Sequence, residues 1–115
     1  MPNRDTTRTQ FLRGTVDLMI LQSLASLGPL HGYAIAARLE QVSAGALVPN
    51  MGTLYPGLMR LEQRGLIRAA WGTTENQRKA RYYSITAAGQ RTLVHEKRDW
   101  FRMVDIMQTL FEGTA

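Results

Sequence analysis

The 115-residue sequence contains no cysteine, which excludes disulfides, thiol nucleophiles and cysteine-ligated metals, and suits a reducing compartment. Histidine is nearly as scarce. Only His31 and His95 occur, and "HEKRD" around the second lacks the partner histidine of a helical zinc site. No glycine-rich phosphate cradle follows a strand-like segment, and no nucleophile, base and orienting group stand in an evident arrangement. These absences argue against an enzyme, a metal site and a bound cofactor. Apolar runs such as Leu18–Leu21 fall far short of the ~20 residues that span a membrane. The opening "MPNRDTTRTQ" has no apolar stretch of a secretory signal, so a cytoplasmic protein is expected.

What the sequence does contain is an ordinary apolar fraction of 44%, enough for one domain with a modest core, and a net charge of +5. The charge is unevenly placed. Arg60, Arg64, Arg68, Arg78, Lys79 and Arg81 face only Glu62 and Glu75 in the same stretch, a local excess of four. Clustered cations suit a polyanion, because each neutralised phosphate releases condensed counterions. A solvated basic face is the ordinary alternative for such a cluster, so a scaffold has to carry the argument further.

The periodicity supplies that scaffold. Residues 1–12 are polar, with Arg4 and Arg8, and read as a flexible arm. "TVDLMILQSLASL", Thr15 to Leu27, is apolar almost all round and predicts a helix buried on more than one side, ended by Gly28-Pro29. A second helix is expected over Gly32–Ser43, with Ile35, Leu39 and Val42 on one face and His31 in a capping position. Asn50 can cap a third helix carrying Leu54, Leu58 and Leu61 and closed by Gly65. Strands are expected over Leu66–Gly72, with Ile67, Ala69 and Trp71 on one side, and over "ARYYSI", joined by the polar tip "TTENQRK". Thr86 can cap a final helix running to about Phe111. The expected fold is therefore mainly α with a small β-hairpin: a winged helix-turn-helix over 13–85, followed by a long helix over 86–112.

That last helix repeats Leu93, Trp100 and Met107 at intervals of seven, with Val104 and Phe111 four beyond the second and third. The pattern is a coiled-coil-like stripe, interrupted by Lys97, on a helix that overhangs a small domain. It either packs against a second copy, making these five residues the dimer contacts, or folds back on its own core.

The third helix poses a puzzle, since "TLYPGLMRLEQRG" sets Pro56 and Gly57 side by side one turn in. Together they cost about 4 kcal/mol of helix propensity. Leucine packing can hold such a helix, with the Pro-Gly defect on the outer arc and permitting close approach to a groove or a neighbouring backbone.

With these residues in view the chain resembles the PadR-like family of bacterial transcriptional regulators. "LMILQSL", "GPLHGYAIAARLE", "GTLYPGLMRLEQRGLI", "ARYYSITAAGQ" and the closing helix carry the likeness over about Leu12 to Leu110. The resemblance implies a dimer of winged helices with cross-packed terminal helices, a mostly repressive role on inverted-repeat operators in double-stranded DNA, and, for several members, release by small aromatic or drug-like effectors. Many members carry Gly-Gly before the basic wing residues, where this chain has "TENQ", so its wing tip is expected to be stiffer or differently aimed. Ala80 and Ser84 stand where basic residues are common.

A helix in the major groove reads bases from its N-terminal half, while basic residues hold phosphates. Thr53 and Tyr55 are thus candidates for base or phosphate contacts, and Arg60, Arg64, Arg78, Lys79 and Arg81 for phosphates. Tyr55 can equally pack on the hairpin. In a multidrug-sensing member of the family the tryptophan matching Trp100 stacks flat ligands across the dimer, which implies an effector site at Trp100 with Val104 and Leu18. Packing alone is the competing role for that tryptophan. The rival to a DNA-binding regulator is a winged-helix module that recognises a protein partner and has no operator.

Overall fold

In the computed structural model the described residues are 4–113, with side chains from Gly14 onward. The chain runs α1 (Arg4–Leu27), β1 (Leu30–His31), α2 (Gly32–Val42), α3 (Met51–Gln63), β2 (Ile67–Thr73), β3 (Lys79–Ile85) and α4 (Ala87–Glu112). α1 begins at Arg4, well before the Thr15 start expected, so residues 4–12 of the expected arm are helical; their side chains lie outside the described residues. None of the described helices is long and apolar enough to cross a membrane.

All three expected caps form. His31 Nδ1 accepts from the Ala34 amide at 3.2 Å, Asn50 Oδ1 from the Thr53 amide at 3.0 Å, and Thr86 Oγ1 from the Gly89 amide at 3.0 Å. Each satisfies an amide that the first turn of a helix leaves without a partner, worth about 1 kcal/mol.

The winged helix-turn-helix is present, and its sheet has one strand more than the expected hairpin. β2 and β3 pair antiparallel from Ile67↔Ile85 to Thr73↔Lys79, and β1 adds to the other edge of β3 through Leu30↔Tyr83 and His31↔Tyr82. Two residues are too few to show an alternating pattern, so only the free edge of β3 reveals this strand.

The core joins every layer. Ile20 and Leu24 from α1, Ile35 from α2, and Leu54, Leu58 and Leu61 from α3 are at most 1% exposed, with Ile67 and Tyr83 of the sheet beneath them. At roughly 2 kcal/mol for each fully buried leucine, the three of α3 outweigh the propensity cost of Pro56 and Gly57. Val42 departs from its expected face: it is 66% exposed, because the last turn of α2 stands at the rim of a groove.

Gly57 also takes a different place from the one its neighbour suggested. Pro56 is exposed on the outer arc, but Gly57 is buried against α1, where an added Cβ would meet Asp17 Oδ1 at 2.9 Å and Ile20 Cδ1 at 3.1 Å. The close approach is between helices of the same chain. It lets Asp17 reach Arg60, whose Nη2 and Nε donate to the two carboxylate oxygens at 2.7 and 3.2 Å. With side chains 17% and 31% exposed, the pair is partly withdrawn from water. Asp17→Asn, which leaves Arg60 without its counter-charge, is expected to lower stability by about 1 to 2 kcal/mol, less than a fully buried pair would lose. A urea midpoint equal to that of the wild type would show that the clasp adds nothing to the α1–α3 packing.

Only the start of α4 lies on the domain. Leu93 is 6% exposed and belongs to the core, so it is not a residue of the outward stripe, as its heptad position had suggested. Beyond it the apolar stripe is only partly covered among the described residues: Trp100, Met107 and Phe111 are 50%, 38% and 78% exposed.

Candidate nucleic-acid interface

The N-terminal half of α3 and the β2–β3 wing bound a concave groove of about 740 Å³. From the expected set it brings together Tyr55, Arg78, Lys79 and Arg81. The wing residues arrive there by strand alternation and a closed turn. At the tip, Thr74 donates its amide to the Arg78 carbonyl at 2.9 Å and accepts the Gln77 and Arg78 amides at 2.9 and 3.2 Å. Gln77 adopts the left-handed conformation, φ +59°, which a glycine would take at lower cost. The "TENQ" tip is thus a threonine-latched turn that presents Arg78 and Lys79 exposed.

Other expected residues have different duties. Arg60 is held by Asp17 on α1 and does not line the groove. Arg64 is exposed at the C-cap of α3, at the far end of the helix from Tyr55. Thr53 is half-buried, its amide and hydroxyl both directed at Asn50 Oδ1, at 3.0 and 3.3 Å. Arg81 is in the groove and also donates to Glu62 Oε2 at 2.9 Å. That pair is solvent-accessible at 44% and 35%, so it contributes little to stability and a phosphate can compete for the arginine.

Aromatic side chains complete the wall. Tyr83 is buried beneath Arg81, whose guanidinium carbon stands 5.9 Å from the ring centroid. Desolvation pushes its phenol above the ordinary tyrosine value, opposed by the Arg81 charge, so it stays neutral at physiological pH. Tyr82 points to the other side, donating to the Thr73 carbonyl at 3.1 Å and meeting His31 edge-on with ring centroids 5.4 Å apart. Tyr33 and Trp71 also line the groove, each 73% exposed, and sequence patterning misses both. Tyr33 lies off the Ile35–Leu39 stripe, a signal in itself. Trp71 looks inward by alternation, but β2 runs past the body that would cover it.

A second groove, of about 470 Å³, lies among α1, α2 and α4. Leu18, Trp100 and Phe101 line it, whereas Val104, one turn further on, does not. Gln22 lines it too, and its Oε1 is buried without a hydrogen-bond partner while Nε2 donates to Ser26 at 2.7 Å. Arg38 and Lys97 add positive charge, with no carboxylate among the described lining residues. No cluster of metal-ligating side chains occurs among the described residues.

Comparison with known proteins agrees with this architecture. The chain is 41% identical over 86 residues, 75% of its length, to an uncharacterized 37.1 kDa protein in transposon TN4556 of Streptomyces fradiae, and the match spans 23% of that larger protein. A transcriptional regulator from Clostridium thermocellum superposes with a TM-score of 0.79 at 28% identity, covering 87% of this chain and 96% of that one. A PadR family transcriptional regulator from Eggerthella lenta gives 0.78 at 27% identity, covering 96% and 93%. The model of the transcriptional regulator PadR-like family matches residues 20–95, well over half of the chain. A winged helix with a basic groove and a long terminal helix, matched by that family over most of its folded part, belongs to the PadR-like family of DNA-binding transcriptional regulators, which are not enzymes.

Proposed function

We propose that the chain acts in the cytoplasm as a homodimeric repressor that binds an inverted-repeat operator and is released by a small aromatic effector. The observation that carries the DNA reading is the convergence of Tyr55 from α3 with Arg78, Lys79 and Arg81 from the wing on one concave face. Three cations there oppose Glu75 alone, a balance that suits phosphates. In this reading Lys79 holds a phosphate and Tyr55 contacts the duplex from the first half of the helix.

Dimerisation is supported by the uncovered apolar arc of α4. Trp100, Val104, Met107 and Phe111 are joined on it by Met103 and Leu110, an arc of roughly 120° at 100° per residue. That is wider than a two-helix seam needs, and fits a helix packed between more than one element of a second copy. The effector reading is supported by Leu18 and Trp100 facing one groove, with the Gln22 carbonyl as an acceptor for a ligand donor. Val104 is better placed as a dimer contact than as a ligand contact.

The test is selection of duplexes from a random-sequence pool at physiological salt, followed by footprinting. The expected product is an inverted repeat with half-sites about one helical turn, ~34 Å, apart. Planar aromatic compounds should then release the selected duplex. A pool without enriched sequence favours instead the protein-recognising winged-helix module. Lys79→Ala should weaken selected and unrelated duplexes alike and reduce the slope of log affinity against log salt by about 1. An unchanged slope removes Lys79 from the phosphate contacts.

A further inference from the structure

Trp71 stands out on the wing. It pairs with Arg81 across the ladder, and Thr73 pairs with Lys79, so these four side chains share one face of the sheet. The same face carries Ile67 and Tyr83 nearer the body, 1% and 4% exposed. That face looks toward α3, as the Arg81–Glu62 pair demonstrates. Trp71 is therefore on the inner side of the wing, beyond the last residue that α3 covers. Its indole is left 73% exposed at the edge of a groove lined by Arg78, Lys79 and Arg81.

A large aromatic surface is costly to leave in water, and a solvated turn would be served by a polar residue. The cations around it name the occupant: a polyanion that also offers an apolar edge, which a DNA groove with its sugar walls and base steps does. When a helix lies in the major groove, an element projecting from its side can reach the adjacent minor groove. Apolar side chains that enter a minor groove partially unstack a base step, and flexible pyrimidine–purine steps yield most readily.

We infer that Trp71 is a specificity-determining wedge that enters the minor groove beside each half-site and makes the chain prefer deformable steps there, without reading base edges. The inference rests on the DNA-binding reading. Unlike the phosphate-holding Lys79, Trp71 responds to the stiffness of the flank.

The experiment uses the selected duplex in two forms, one with a TA step at the flank met by the wing and one with a GC step there. A 2-aminopurine placed at that flank reports unstacking. Wild type should favour the TA form by about tenfold, within the range of a single unfavourable base step, and raise the 2-aminopurine emission on binding. Trp71→Ala should bind the TA form about tenfold more weakly, lose the preference and leave the emission unchanged at saturation. Trp71→Phe should retain part of both. Lys79→Ala should weaken the two forms equally and keep the emission rise. A Trp71→Ala protein that keeps the preference, or that raises the emission like wild type, overturns the wedge. A pool that enriches no sequence removes the DNA reading and the wedge with it.

Discussion

Gly89→Ala is expected to lower the stability of the fold by about 3 kcal/mol, the upper end of the usual cost of overpacking. Gly89 is in the first turn of α4, where that helix rests on the connection between α3 and β2. A Cβ added there would overlap the Leu66 carbonyl oxygen and stand 2.7 Å from Ile85 Cγ1 and 3.0 Å from the Leu66 carbonyl carbon. Backbone cannot swing aside as a side-chain tip can, so either the helix or the strand must move. The same carbonyl accepts the Thr86 amide at 3.0 Å, and the Thr86 hydroxyl donates to the Gly65 carbonyl at 2.7 Å. Displacing α4 would therefore strain the junction that sets its direction and would loosen Leu93 in the core. The gain in helix propensity from alanine, about 1 kcal/mol, is too small to reverse the sign. Urea unfolding should show a lower midpoint with an unchanged slope. A midpoint at or above that of the wild type would mean that α4 can shift without cost.

Met107→Glu should convert a dimer into a chain that sediments at its own mass of 12.9 kDa. Met107 lies mid-stripe on the proposed seam. A carboxylate there would lose its hydration on association without a counter-charge, at a cost of several kcal/mol. The effect on DNA should be larger than the effect on folding. Two half-site modules held together bind about 10²- to 10⁴-fold more tightly than either alone, and separation forfeits that factor. The residues around Met107 are exposed in the single chain, so the urea midpoint at high dilution, where wild type also dissociates, should not change. A variant that stays dimeric and binds the operator like wild type would place the interface elsewhere.

Local physics made much of this molecule legible in advance. Helix periods located α2, α3 and α4, and the three capping residues marked where they begin. The cluster from Arg60 to Arg81 marked a basic wing, because the wing cations are exposed whatever the rest of the chain does. Tyr55, Arg78, Lys79 and Arg81 meet in one groove for this reason. The clasp on Arg60 was not legible, because its carboxylate partner is 43 residues away on another helix. Spacing along α3 puts Arg60 on an arc but says nothing about what faces that arc.

The same division explains Pro56 and Gly57. That a leucine stripe could hold a helix containing both was readable from composition and period. Their separate duties were not, since only the approach of α1 shows that Gly57 admits Asp17 while Pro56 stays exposed. Leu93 and Trp100, one heptad apart and alike in pattern, differ because α4 leaves the body between them. By itself the sequence determined the elements, their order, their caps and the sign of the charge on the wing, all consequences of neighbours within a turn or a strand pair. Tertiary structure decided the third strand, the Asp17–Arg60 clasp, the exposure of Trp71 and the boundary between core and free stripe on α4. Each of these depends on which distant surface arrives opposite a residue, and packing between elements, not periodicity within one, sets that.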